Sequence, residues 1–204
     1  MVGPQLLSYD RSGTGPRGYS APSASNGRRS APDASIKGPE IDQGLSSRQA
    51  PEAELSNLLW AGFGINRPDG RRTAPSASNK QEIDIYVGTA DTLYVYEAKG
   101  YRLRPLLRED IRAKTGIQPF VGEAPVNLIY VADLAKTGTD FAERDIDVAA
   151  DTGFIAENIY LFCASEGLAT VVRGSIDRPM LSRAMKLRAN QRIILAQTIG
   201  YPPR

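Results

Sequence analysis

Large apolar residues are scarce over the first fifty positions and then recur with definite periods. Residues 51–61 begin with Pro51 and place Leu55, Leu58 and Leu59 on one side, the spacing of a helix with proline in its first turn. Residues 83–87 (IDIYV) and 92–97 (TLYVYE) alternate with period two around Thr89-Ala90-Asp91, which predicts a hairpin, and residues 101–107 supply a third strand. Residues 125–133 (PVNLIYVAD) are a short apolar run rich in β-formers, the pattern of a central strand. Asp140 followed by Glu143 has capping-box spacing at the start of a long helix, which Gly167 ends as a C′ glycine. The stretch VAADTGFIAENIYLFCASEGLAT (148–170) is apolar on nearly every side over its second half. Ile155, Ile159 and Phe162 share one face, and Phe154, Leu161 and Leu168 share another. Such a helix needs burial all round, and in a chain of 204 residues the middle of a subunit interface provides it. Residues 169–172 read as a short strand, 178–186 as a small helix and 193–199 as a last strand. Helices and strands mix without regular βαβ alternation, so the fold class is α+β.

Composition divides the chain near residue 50. Residues 1–50 are about two-fifths Gly, Pro and Ser, above the level that marks low complexity. They lack the apolar surface to offset ordering entropy and are expected to be disordered, leaving 51–204 as the folded domain. Ser20–Asn26 (SAPSASN) echoes Thr73–Asn79 (TAPSASN), but no periodic apolar positions accompany the echo, so it is not read as a structural repeat. A net charge of +2 is too small to argue for nucleic acid as the partner. The chain has no histidine, which removes histidine triads and the usual histidine metal sites. Its one cysteine, Cys163, sits in the apolar helix as a small hydrophobe and fits a reducing, cytoplasmic setting. No apolar run reaches the roughly 18 residues of a membrane span.

The candidate chemistry lies in the loop GINRPDGRRTAPSASNKQ. Small residues there let backbone approach a flat ligand, and Ser76, Ser78, Asn79 and Gln81 offer directed hydrogen bonds. Arg67, Arg71 and Arg72 can neutralise a phosphate. The same composition also suits a polar surface loop, and neither GxGxxG nor GxxxxGK[ST] is present. Asp145 and Asp147 near the helix start read as dipole compensation and solvation.

The segment SNLLWAGFGINRPDGRRTAPSASNKQEIDIYV resembles the nitroreductase family of FMN-dependent oxidoreductases, in the branch that includes the peptide azoline dehydrogenases. The resemblance continues in order through Gly116-Ile117-Gln118-Pro119-Phe120, Asp151, Gly153, Asn158, Glu166–Val171 and Gly200-Tyr201-Pro202, covering roughly residues 52–204. It implies a nitroreductase-like fold: a central mixed or antiparallel sheet flanked by helices, with the long helix as a dimer core. It further implies a homodimer with two FMN sites at the interface. The flavin-ring contacts carry onto Pro75, Ser76, Ala77, Asn79 and Gln81. Gln118 matches a polar residue that reaches the ring, Val172, Arg173 and Gly174 match the segment lying against it, and Arg204 matches a basic residue near the phosphate. NADH or NADPH would serve as co-substrate and a small molecule, such as a nitro or quinone compound, as acceptor. The flavin performs the chemistry, so no catalytic side chain is assigned.

One departure bears on these expectations. The family opens with an Arg-Ser-x-Arg segment that binds the phosphate, and this chain has Glu40, Ile41, Asp42 and Gln43 where it should fall. Arg28-Arg29-Ser30 resembles that segment about ten residues earlier. Two alternatives follow. One is a degenerate member that folds but binds FMN poorly, acting as a binding or structural protein. The other is a peptide azoline dehydrogenase, for which Lys80 lies near the loop but the Leu-Tyr-Pro of that branch is absent.

Overall fold

The computed structural model describes residues 52–202. The expected disorder of residues 1–50, the substituted segment at 40–43 and the proposed role of Arg204 lie outside the described residues. The order of elements is α1 (Glu52–Phe63), β1 (Ile83–Gly88), β2 (Leu93–Glu97), β3 (Arg102–Leu107), β4 (Val126–Asp133), α2 (Phe141–Glu166), β5 (Ala169–Arg173), α3 (Arg178–Ala184) and β6 (Gln191–Gly200), with short 3-10 turns between them. The six strands form one sheet in the order β3-β2-β1-β4-β6-β5, and every neighbouring pair is antiparallel. The α+β class is therefore observed, and the sheet is antiparallel throughout.

The continuous apolar run of β4 has a direct cause. Strand side chains alternate faces, and both faces of this strand are covered, so all eight residues are buried. On one face Leu128 and Tyr130 join Ile83, Ile85 and Val87 against Leu58, Leu59 and Phe63 of α1 and Ile155, Ile159 and Cys163 of α2. On the other, Ile129 and Val131 join Tyr86 and Val95 against Leu181 and Met185 in and after α3. Buried polar groups near the far edge bond to one another. Tyr130 Oη donates to Gln197, Gln197 Nε2 donates to Thr170 Oγ1 at 3.1 Å, and Thr198 Oγ1 donates to Asn127 Oδ1 at 2.6 Å.

Helix α2 is capped as its sequence predicts. Asp140 Oδ1 accepts from the amides of Ala142 and Glu143, and Gly167 closes the helix at φ 69°. The inner face carries Val148, Asp151, Thr152, Ile155, Ala156, Ile159 and Cys163. Burial does not extend all round within one chain: Phe154 keeps 49% and Leu161 62% of its surface exposed. Gly62 permits close contact with α1, since a Cβ there would lie 2.6 Å from Ile159 Cδ1. Among the described residues, no helix is long and apolar enough to cross a membrane.

Candidate functional site

The loop between α1 and β1 owes its shape to a short backward fold of the chain. Gly70, at φ +82°, turns residues 64–73 back on themselves, and Asn66 N–H to Arg71 O at 3.1 Å and Thr73 N–H to Gly64 O at 2.9 Å hold the pair. This returns Arg72 to the end of α1. Its Nη1 donates to the Phe63 carbonyl at 3.3 Å, one of the orphan carbonyls of a helix C-terminus, and its guanidinium lies 4.1 Å from the Phe63 ring centroid. Its Nε donates to Gln81 Oε1 at 2.8 Å. Burial lowers the Arg72 pKa against the opposing pull of Tyr96 and Asp84. Arg72 thus works inside the loop, while Arg71 points outward to Asp69 at 3.4 Å with 63% of its side chain exposed.

Beyond Arg72 the chain adopts an uncommon conformation. Ser78, Asn79 and Gln81 all have positive φ, at 51°, 54° and 49°, and none is glycine. Each such residue is held at a cost that surrounding bonds must cover. Ser76 Oγ accepts the Gln81 amide at 3.0 Å, Gln81 Nε2 donates to Gly70 O at 3.1 Å and Asn79 Oδ1 at 3.0 Å, and the Ala77 amide donates to Asp151 Oδ2 of α2 at 2.8 Å. Pro75 and Asn79 are exposed, and Ser76, Ala77 and Gln81 are half-buried. Five sequence-predicted residues therefore share one rigid loop with Arg72.

A second group lies at the end of β5. Arg173 is 4% exposed, and among the described residues its guanidinium meets neutral acceptors alone: Thr198 Oγ1 at 2.9 Å, Thr115 O at 2.8 Å and Asn127 Oδ1 at 3.1 Å. Burial lowers its pKa to about 10. Gly116 lies against it, since a Cβ there would fall 1.9 Å from Arg173 Nη1 and 3.0 Å from Gln118 Oε1. That Gln118 oxygen is buried and has no hydrogen-bond partner among the described residues. The Val172 amide donates to Tyr160 Oη at 2.8 Å, and Gly174 is exposed, its carbonyl accepting from Arg178 at 3.3 Å. Among the described residues, no hydrogen bond joins this group to the 73–81 loop.

Two residues that sequence reasoning did not assign to the site stand beneath the loop. Asp151 anchors Ala77 from the inner face of α2, and Glu82, directly after the loop, is 1% exposed with neither carboxylate oxygen hydrogen-bonded. A signal for Asp151 was present: it falls three residues after Val148 and four before Ile155, on the apolar stripe, where a solvated aspartate does not belong. Asp145 and Asp147 do reach solvent, paired with Arg192 at 2.7 Å and Lys80 at 3.4 Å. Among the described residues, no group of three or more His, Cys, Asp or Glu is placed to hold a metal ion.

Comparison with known proteins converges on one family. A provisionally named nitroreductase of Methanocaldococcus jannaschii is 28% identical over 146 residues, covering 66% of this chain and 74% of the relative. The crystal structure of a provisionally named nitroreductase from Ralstonia eutropha superimposes with a TM-score of 0.75 at 40% identity, covering 79% of this chain and 78% of that one. The NADPH:FMN oxidoreductase of Vibrio harveyi, solved with NAD+, shares the fold at a TM-score of 0.59 and 20% identity, over 78% of this chain and 64% of that one. Residues 45–201 match the sequence model of the nitroreductase family, and with that match over most of its length the chain belongs to this family of oxidoreductases.

Proposed function

We propose that this chain is an FMN-dependent oxidoreductase that takes hydride from NADH or NADPH and passes it to a small-molecule acceptor such as a nitro or quinone compound, working as a homodimer. The observation that carries the reading is the loop: three non-glycine residues with positive φ, held by hydrogen bonds in which Arg72 and the Gln81 and Ala77 amides donate and Gln81, Ser76 and Asp151 accept. Strain of this kind persists where a ligand-binding geometry must be pre-organised. Family membership and the flavin enzyme of Vibrio harveyi indicate which ligand to test first.

The donor and acceptor set fits a flavin. Gln118 Oε1 is a buried acceptor lacking a donor, which an N–H of an isoalloxazine ring would satisfy. Pro75, Ser76, Ala77, Asn79 and Gln81 would hold one side of the ring, and Gln118 with Val172, Arg173 and Gly174 the other. Arg173 would add a fixed positive charge inside the fold, with no carboxylate bonded to it among the described residues. Arg71 is the exposed cation on the loop suited to a phosphate. Bound flavin would supply the hydride and electron transfer, so the side chains would have only to bind, orient and exclude water. The exposed Phe154 and Leu161 of α2 would be the surface a second copy covers.

The absorption spectrum of the purified full chain, before and after adding FMN, tests this. A flavin band that remains with the protein on gel filtration, and bleaches anaerobically with NADH or NADPH, is the expected result. A colourless protein that never retains FMN would sink the reading and favour the degenerate member. The azoline dehydrogenase alternative gains nothing, since the Lys80 ammonium is engaged with Asp147 at 3.4 Å.

A further inference from the structure

Glu82 has an unusual position for a carboxyl group. It is 1% exposed at the junction of the strained loop and β1, and among the described residues neither of its oxygens has a hydrogen-bond partner. Its carboxyl neighbour is Asp151 of α2, 3% exposed, whose Oδ2 holds the Ala77 amide at 2.8 Å. The charged groups packed around the pair are few. Lys80 comes from the loop, but it is bound to Asp147 of α2 at 3.4 Å. On the strand side Lys136 donates to Gln81 O at 3.3 Å and pairs with Asp84 at 3.5 Å. Among the described residues no cation is bonded to Glu82 itself.

A buried carboxyl that ionises beside a second buried carboxyl does so at a large electrostatic cost. We propose that Glu82 carries a proton facing Asp151, and that loss of this proton releases the 73–81 loop, making the loop a pH-sensitive switch. With the proton present the pair holds one charge, and Asp151 accepts from Ala77 and from the Glu82 hydroxyl together. Without it, a carboxylate lies beside Asp151 with no donor to solvate it. The strained residues Ser78, Asn79 and Gln81 make opening of the loop toward water the easiest relief. The acidity of Glu82 agrees with this geometry. Burial, and then Asp151, push it up to about 7, against the lowering effects of its own backbone and of Lys80. The switch operates near neutral pH, with the loop closed on the acid side.

The test follows amide hydrogen exchange of Ala77 in the full chain, as a protection factor, from about pH 5.5 to 8.5, without FMN. Wild type should lose about tenfold in protection across neutrality, the effect of roughly one pKa unit of coupling. Glu82→Gln, which keeps the shape but cannot ionise, should show no such step, and Asp151→Asn should lose protection at every pH. Wild-type protection that is independent of pH overturns the proposal, and this arm needs no variant to fold. A step of equal size in Glu82→Gln also overturns it, because another group would then be titrating. FMN affinity measured over the same range separates this inference from the flavin reading. Affinity that falls in step with protection supports both, whereas a step in protection with unchanged affinity leaves the switch standing and removes the loop from the flavin site.

Discussion

Arg72 donates through Nε to Gln81 Oε1 at 2.8 Å while its guanidinium lies 4.1 Å from the ring centroid of Phe63, so one side chain ties the end of α1 to the end of the strained loop. Both bonded atoms are half-buried, and the third contact, to the Phe63 carbonyl, satisfies a helix terminus. Replacing Arg72 with Met keeps the stem and removes the fork. Gln81 Oε1 and the Phe63 carbonyl then lose their donor, at a cost of about 1–3 kcal/mol. Arg72→Lys should recover little of this, because a point ammonium cannot serve two acceptors and a ring face together. Urea unfolding of the three proteins checks the order wild type, Lys, Met.

The close approach of Gly116 to Arg173 gives a sharper expectation. A Cβ at Gly116 would fall 1.9 Å from Nη1, and three hydrogen bonds prevent the guanidinium from moving aside. Gly116→Ala should therefore destabilise by about 1–3 kcal/mol, as overpacking does. In an Arg173→Met background the same alanine should cost much less, since the obstructing nitrogen is gone. Equal costs in both backgrounds, read from denaturant midpoints, would show that the strain lies elsewhere.

Cys163 is fully buried in the inner face of α2, and burial pushes its thiol up to about 12 despite a hydrogen bond with Thr170. The thiolate is the reactive form, so almost none exists at neutral pH. Native protein at pH 8 should leave a thiol reagent unreacted over the time in which urea-unfolded protein reacts completely. Rapid labelling of the native chain would mean that α2 opens to solvent.

The sequence made the elements legible where local physics decides them. Asp140 and Gly167 bracket α2 because a cap oxygen and a left-handed C′ residue answer the orphan groups of any helix. The run 125–133 was readable as a central strand because both its faces are covered, and the alternation in 83–87 and 92–97 marked the hairpin. Long-range packing was not legible. Arg173 resembles a strand-end surface residue, and only the fold brings Thr115, Asn127 and Thr198 around it. Arg72 stood out in the sequence by its charge alone, and only the fold shows the backward turn at Gly70 that brings it to Phe63 and Gln81. The positive φ values at Ser78, Asn79 and Gln81 have no signature in residue type for serine and glutamine, which rarely adopt them. The apolar circumference of α2 hid the difference between its core face and its exposed face, since both are lined by similar residues.

Glu82 also sets an expectation for stability against pH. Its carboxyl titrates near 4.5 in an unconstrained chain and at about 7 in the fold, so the folded state holds the proton more tightly. The resulting stabilisation is fully present below about 4.5, declines as pH rises and is lost above about 7. Glu82→Gln should remove this slope. Its melting temperature relative to wild type should rise between pH 5 and pH 8, ending a few degrees above wild type at the alkaline end. A constant difference across that range would show that Glu82 does not change protonation there.

The last expectation concerns assembly through α2. Ile159 is fully buried against Gly62 of α1 within a single chain, so Ile159→Asp would unfold the subunit and say nothing about a dimer. The outer face is the informative one. Phe154 and Leu161 stand 49% and 62% exposed on it, Ile146 is 70% exposed about two turns before Phe154, and at Gly153 a Cβ would meet nothing within 4 Å. Ile146 and Gly153 are seven residues apart, as are Phe154 and Leu161, so the four share one side of a helix about 39 Å long, a stripe that would suit packing against the same helix of a second copy. A glycine in mid-helix costs roughly 1 kcal/mol relative to alanine, which is consistent with a position where two helices approach closely. Leu161→Asp should leave thermal stability of the isolated subunit nearly unchanged while converting a dimer into a monomer by sedimentation at micromolar concentration. FMN retention should fall with it if the flavin site spans the interface. A Leu161→Asp protein that still sediments as a dimer would place the interface on another face, and a monomeric wild type would remove it altogether.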